Sequence, residues 1–155
     1  MNFIIPLEVK LLHENFKNGT WALPNYSTVG SAAFDLIAAI DEPIEVEPFK
    51  TCFVPSGIAV WLANSTLAML VLPRSGKGCN EGLVLGNTVG LIDSDYQGEL
   101  RMCVYNRTQT TLTINPGDRI AQAMIIPKYQ AKLNVVSVFS NMTDRGVGGF
   151  GSTGG

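Results

Sequence analysis

The residues best able to do chemistry in this chain lie in Gly86-Asn87-Thr88-Val89-Gly90-Leu91-Ile92-Asp93-Ser94-Asp95-Tyr96-Gln97-Gly98-Glu99. Asp93 ends an apolar run, and a carboxylate in a partly apolar mouth can act as a general base. The face of Tyr96 beside it can pack on a flat or ring-shaped substrate. Two extended segments joined by so polar a loop predict a hairpin with Asp93 at its mouth. Strand alternation then sends Asp93 and Asp95 to one side and Ser94 and Tyr96 to the other. Asp, Ser and Gly are also common turn formers, so a solvated β-turn is the competing reading of these residues alone.

Four other stretches carry chemistry-bearing groups. In Leu72-Pro73-Arg74-Ser75-Gly76-Lys77-Gly78 a strand ends at Pro73 and a short helical turn begins. Free amides, a hydroxyl and a guanidinium at such a junction form an anion site, although a plain Pro-Gly loop has the same composition. Val29-Gly30-Ser31-Ala32-Ala33-Phe34-Asp35-Leu36 sets an acid among small residues at a strand entry, where Asp35 either approaches a ligand or caps a turn. Gly117-Asp118-Arg119-Ile120-Ala121-Gln122 reads mostly as a hairpin, with Gln122 turned to a ligand or simply outward. The tail from Thr143 to Gly155 is rich in Gly and holds one Arg and one Phe, Arg145 and Phe150, with Ser152 and Thr153 near its end. It is either a flexible end or a lid, in which Gly amides and Arg grip phosphate and Phe stacks on a base.

The elements that must position these groups are strands. Sixteen Gly and eight Pro punctuate the chain. Between them lie short runs rich in Val, Ile, Leu, Thr and Phe, at 51–54, 58–62, 67–72, 100–105, 111–114 and 120–126. Asn115-Pro116-Gly117-Asp118 places Pro and Gly as a type II turn requires. The spacing predicts an antiparallel sandwich, jelly roll or barrel with one short helix, at residues 75–81. One domain is expected over residues 1–140, followed by a Gly-rich segment over 141–155.

Composition narrows the function. Apolar residues make up 46% and charged residues only 15%, against roughly 25% in an average soluble protein, which fits small neutral loops and surface covered by other subunits. A net charge of -2 gives no electrostatic footprint for a nucleic-acid backbone. The N-terminus is too quickly interrupted for a signal peptide, and no apolar run is long enough to span a membrane. Three widely spaced cysteines, Cys52, Cys79 and Cys103, make neither a zinc pattern nor a disulfide framework and suit a reducing cytoplasm. His13 is the only histidine, which nearly excludes mechanisms that need a His base or a His-metal cluster.

Taken together, the five stretches resemble the motifs of the trimeric dUTP pyrophosphatases (dUTPases) of bacterial type. They appear in order as Ser31 to Leu36, Pro73 to Gly76, Gly90 to Gly98, Gly117 to Gln122, and Arg145 to Gly154, so the resemblance covers nearly the whole chain. Two departures stand out. Ala32-Ala33 replaces the usual Ala-Gly, and Pro48-Phe49-Lys50 replaces a usual Pro-Gly turn.

The resemblance implies a distorted jelly roll assembled as a homotrimer, with each active site shared between subunits and closed by a tail. It implies hydrolysis of dUTP to dUMP and pyrophosphate, which keeps uracil out of DNA and supplies dUMP for thymidylate synthesis. Asp93 is then the general base, and Tyr96 packs under the deoxyribose and refuses a 2′-hydroxyl. Asn87, Gly90, Leu91 and Ile92 read uracil, and the backbone at Arg101 also contacts the nucleoside. Arg74, Ser75, Gly76 and Gln122 hold the triphosphate, and Arg145, Phe150, Gly151, Ser152 and Thr153 come from the lid. Asp35 lies near a Mg²⁺ ion bound mainly by triphosphate oxygens, reaching it through water. The similar dCTP deaminases carry a catalytic Glu on the strand after the hairpin, where Leu100 to Asn106 here has no acid. A nucleotide sensor without catalysis and a purely structural jelly roll are the readings from other classes.

Overall fold

The computed structural model describes residues 4–149. Ten strands carry the fold: β1 (Glu8–Leu11), β2 (Phe34–Ile37), β3 (Ile44–Val46), β4 (Thr51–Trp61), β5 (Leu67–Pro73), β6 (Leu83–Leu85), β7 (Gly90–Ile92), β8 (Glu99–Asn106), β9 (Leu112–Ile114) and β10 (Arg119–Pro127). They form two four-stranded sheets, ordered β1-β4-β8-β6 and β2-β10-β5-β7, and a ribbon of β3 with β9, with every pairing antiparallel. The all-β jelly-roll expectation holds. A helical turn of the wide, π type at Lys77–Glu81 occupies the expected helix position. A second short helix, α1 (Glu14–Lys17), is capped by His13, whose Nδ1 accepts from the Asn15 amide. Among the described residues no helix is long and apolar enough to cross a membrane.

Alternation builds the core. Along β8 the even positions Leu100, Met102, Val104 and Asn106 are buried, while Arg101, Cys103 and Tyr105 face outward. The inward side chains meet Val54, Ile58 and Val60 of β4, and Leu36, Met69, Ile120 and Ala123 from the other sheet join the same cluster. Asn106 is fully buried and fully bonded. Its Nδ2 donates to the Val46 and Thr110 carbonyls at 2.8 and 2.7 Å, and its Oδ1 accepts from the Thr108 amide and hydroxyl.

Two predicted hairpins are corrected by the pairing. The Asn115–Asp118 turn forms as read, with Gly117 at φ +79° and the Asp118 amide donating to the Asn115 carbonyl. The strands it joins then part, β9 to β3 and β10 to β2 and β5. Likewise β7 pairs with β5 while β8 pairs with β4 and β6, so the Asp93 loop crosses from one sheet to the other. Period-two alternation marks a strand but carries no information about its partner.

β10 ends at Pro127, and residues 128–149 carry no strand or helix. Several of their large apolar side chains stand in water, with Tyr129, Val135 and Met142 each at least 97% exposed.

Candidate active site

One cluster gathers at the Pro73 end of β5. Gln122 on β10 pairs with Asp35 on β2 and with Leu72 on β5, so Gln122 and Asp35 share a face. The Gln122 amide donates through Nε2 to the Pro73 carbonyl at 3.0 Å. Asp35 accepts from Arg74, whose Nε lies 2.6 Å from Oδ1 and whose Nη2 lies 3.5 Å from Oδ2. Arg119 reaches the same carboxylate, Nη1 to Oδ2 at 3.3 Å, from a point where β10 shifts register. These groups, with Ser31, Ser75 and Gly76, line an open cleft of about 510 Å³. Two guanidiniums against one carboxylate leave the cleft net positive, and a half-buried site strengthens that field, so the cleft suits a polyanion.

The chain builds this cleft locally. β5 closes at Pro73, and the following helical turn starts with the Gly78 amide donating to the Arg74 carbonyl at 2.8 Å. Arg107, beyond β8, donates through Nη2 to the Gly78 carbonyl at 2.5 Å and holds that turn against the sheet. Ala32 and Ala33 line the cleft without left-handed backbone, so the Ala-Ala departure costs no strain. Arg119 was not among the expected site residues. Its only signal in the sequence was a cation beside the Gly117-Asp118 turn.

A second group of residues lies on β7 and the turns at its two ends, the Gly86–Val89 turn toward the Pro73 end of β5 and the Asp93–Tyr96 loop toward its Leu67 end. The Gly86–Val89 turn is tight, with the Thr88 amide donating to the Leu85 carbonyl at 3.0 Å and Thr88 itself at φ +61°. Gly90 sits against β5 so closely that a Cβ there would lie 3.1 Å from Val71 Cβ. The Asp93–Tyr96 segment is a turn rather than an extended strand, because the Tyr96 amide donates to the Asp93 carbonyl at 3.2 Å. The expected alternation is therefore corrected: Ser94 is buried, while Asp93, Asp95 and Tyr96 are all exposed. The Tyr96 hydroxyl donates to the Glu99 carbonyl at 3.0 Å. Leu91 is exposed, and Arg101 points outward from β8 with its guanidinium 5.4 Å over the Phe53 ring.

The Asp93 loop and the cationic cleft do not meet within one chain. Ile92 pairs with Met69 and Gly90 with Val71, so Asp93 leaves β7 at the Leu67 end of β5, whereas Arg74 follows Pro73 at the opposite end. At about 3.3 Å per residue, Asp93 and Arg74 stand roughly 20 Å apart.

Of the tail, Arg145 is exposed and donates through Nε to the Gly148 carbonyl at 3.0 Å. Phe150, Gly151, Ser152 and Thr153 lie outside the described residues.

No three His, Cys, Asp or Glu side chains converge on a metal position among the described residues. Asp35 is the lone carboxylate of the cleft and is shared by two guanidiniums. Such a donor set fits a hard divalent ion that arrives on the oxygens of an anionic ligand, not one caged by protein. Cys52, Cys79 and Cys103 are free. Burial, with a smaller contribution from Cys103, pushes the Cys52 thiol above its ordinary range, and neither is placed in the two clusters.

The dUTPase family profile matches residues 19–154. The chain is 51% identical over 148 residues to the deoxyuridine 5'-triphosphate nucleotidohydrolase of Legionella pneumophila, covering 96% of each. It is 49% identical to that of Acinetobacter baylyi, covering 96% of this chain and 97% of the other. Its fold is similar to the Staphylococcus bacteriophage 80alpha dUTPase solved with dUpNHpp, with a TM-score of 0.84 at 26% identity over 96% of this chain and 98% of the other. It is also similar to a mutant dUTPase of phage phi11 that coordinates a structural Mg(II) ion, with a TM-score of 0.76 at 25% identity over 88% of this chain and 99% of the other. With its strand topology, cationic cleft and Asp93-Tyr96 loop in place, the chain belongs to the dUTPase family.

Proposed function

We propose that this chain hydrolyses dUTP to dUMP and pyrophosphate, keeping uracil out of DNA and supplying dUMP for thymidylate synthesis. The observation that carries the mechanism is the placement of a carboxylate-tyrosine loop and a cationic cleft at opposite ends of β5. A triphosphate gripped at Arg74 is beyond the reach of Asp93 of the same chain, so a complete site takes the two halves from different copies. A homotrimer with three shared sites meets that need. The exposed apolar side chains beyond Pro127 support the same assembly, because another subunit is what would cover them.

In this reading Asn87 and the backbone of Gly90, Leu91 and Ile92 read the uracil edge in a slot too tight for a methyl group. Tyr96 packs under the deoxyribose, and the backbone at Arg101 completes the nucleoside contact. Structures of the phage 80alpha dUTPase carry replacements of an aspartate and of a tyrosine three residues further on, which is the spacing of Asp93 and Tyr96. Arg74, Ser75, Gly76 and Gln122 hold the phosphates. Residues 141–155 form the lid of a domain spanning 1–140, with Arg145, Phe150, Gly151, Ser152 and Thr153 closing over a neighbour's site.

The chemistry then needs few groups. Asp93 takes the proton of a water as its oxygen attacks the α-phosphorus in line. The bond from that phosphorus to the α,β-bridging oxygen breaks, and the electron pair leaves with pyrophosphate. Arg74 and Arg145 neutralise the charge that develops on the leaving group. Asp35 would stand beside a Mg²⁺ ion carried in on the nucleotide, and that ion would supply the remaining charge neutralisation. Work on a nucleotide pool and three free cysteines fit a cytoplasmic enzyme.

The test is pyrophosphate release with Mg²⁺ from dUTP, UTP, dTTP and dCTP on one preparation. Turnover of dUTP alone is expected. Ammonia release from dCTP would point to a deaminase, and binding of dUTP without turnover would point to a sensor.

A further inference from the structure

We propose that Glu99 is the positioning residue that holds Tyr96 in place as the gauge of the sugar, an inference that rests on the deoxyribose role of Tyr96 given above. The Asp93–Gly98 loop runs between sheets, so its position is set where it enters β8, and Glu99 is the first residue of that strand.

Opposite it, β4 is bulged. Arg101 pairs with Pro55 and Glu99 with Ala59, so the four-residue step on β4 faces a two-residue step on β8. The bulge takes Gly57 out of the ladder at φ +70°, with Ala39 Cβ 2.6 Å and His13 Cβ 2.9 Å from where its own Cβ would stand. A bulged amide in so crowded a place needs an acceptor. Glu99 provides it: the Gly57 amide donates to Glu99 Oε1 at 2.9 Å. The Gly57 carbonyl is anchored in turn, accepting from the Leu12 and His13 amides at 2.8 and 3.3 Å.

The same residue holds the tyrosine from its other side. The Tyr96 hydroxyl donates to the Glu99 backbone carbonyl, and the ring lies over Gly98 so closely that a Cβ there would be 2.6 Å from Tyr96 Cζ. The side chain of Glu99 thus grips the scaffold while its carbonyl grips the ring. Loss of the carboxylate leaves the Gly57 amide without its partner and lets the start of β8 move, and the Tyr96 hydroxyl moves with its acceptor. A ring displaced by a fraction of an ångström no longer excludes a 2′-hydroxyl as strictly.

The experiment compares kcat/KM for dUTP and UTP in the wild type, Glu99→Ala and Glu99→Gln, with amide exchange at Gly57 as a second readout. Glu99→Ala should lower the dUTP:UTP ratio about tenfold or more, chiefly through a lower KM for UTP, and speed Gly57 exchange. Glu99→Gln keeps an acceptor oxygen and should stay within about threefold of the wild-type ratio. A folded Glu99→Ala enzyme with the wild-type ratio would overturn the proposal. If Glu99→Ala does not fold, Glu99→Asp carries the test, because its carboxylate falls one methylene short of Gly57; an unchanged ratio there overturns the proposal equally. A wild-type enzyme that accepts UTP as readily as dUTP would remove the role of Tyr96 before any variant is made. That result is distinct from a failure of Glu99 alone.

Discussion

Coexpression of an Asp93→Asn chain with an Arg74→Ala chain should restore dUTP turnover to about one quarter of the wild-type rate. The figure follows from the register of β7 on β5, which puts the two residues at opposite ends of a strand. If a site takes Asp93 from one subunit and Arg74 from the next around a three-fold axis, each mixed trimer contains one junction where both residues are intact. Random mixing makes about three quarters of the trimers mixed, and one site in three is then whole in each of them. The chains would carry different affinity tags, so that mixed trimers can be isolated and their pyrophosphate release, about one third of the wild-type value per site, set against the one quarter of the unfractionated mixture. Each variant alone should fall far below that level, Asp93→Asn by about two powers of ten or more through loss of the base. Arg74→Ala removes a charge-assisted, two-point contact and should cost about 2–3 kcal/mol, or 30-fold and upward. Recovery absent from isolated mixed trimers would mean that both residues serve one site from one chain, and the roughly 20 Å separation along β5 would then be no guide to the active site.

Asp93→Asn alone should keep nucleotide binding and trimer mass while turnover collapses, so a near-normal kcat would remove Asp93 from the base role. Deleting residues 145–155 should leave a folded trimer that hydrolyses dUTP poorly; unchanged kinetics would show that the segment is no lid. Phe49→Gly should stabilise the protein by about 0.5–1 kcal/mol, since a left-handed non-glycine residue costs about 1–2 kcal/mol and glycine's extra chain entropy returns part of it. Phe49 stands at φ +58° and is 57% exposed, so little burial is lost, and a lower denaturation midpoint at fixed subunit concentration would contradict the strain argument.

The longer strands β4, β5, β8 and β10 were legible as runs of β-branched and apolar residues, whereas the short β1, β3 and β6 carry no such run long enough to mark them. The 51–54 and 58–62 runs prove to be one bulged strand, β4, with Gly57 marking the bulge rather than a break. Partnership was not legible: nothing in Thr111 to Ile114 says that its mate is β3 and not the strand after the turn. The Pro48-Phe49-Lys50 departure had a physical meaning that only the backbone shows, a bulky residue in the conformation glycine usually supplies. At the site, Arg74, Asp35 and Gln122 were singled out separately, and the fold brings them together. Arg119 escaped notice because its neighbours Gly117 and Asp118 already explained the stretch as a turn. Helix α1 escaped because its cap is a histidine, a type that rarely signals a helix start.

The apolar segment beyond Pro127 also has a consequence for how the enzyme comes into being. In a chain without partners Tyr129, Leu133, Val135, Phe139 and Met142 face water. Such a chain can bury them by joining its own kind or by aggregating, and both routes quicken as chains accumulate. Maturation is therefore a race in which correct encounter must outpace misassociation. If the halves of the catalytic centre meet in the same encounter, as proposed above, a chain that loses the race never becomes a stray, half-selective phosphohydrolase.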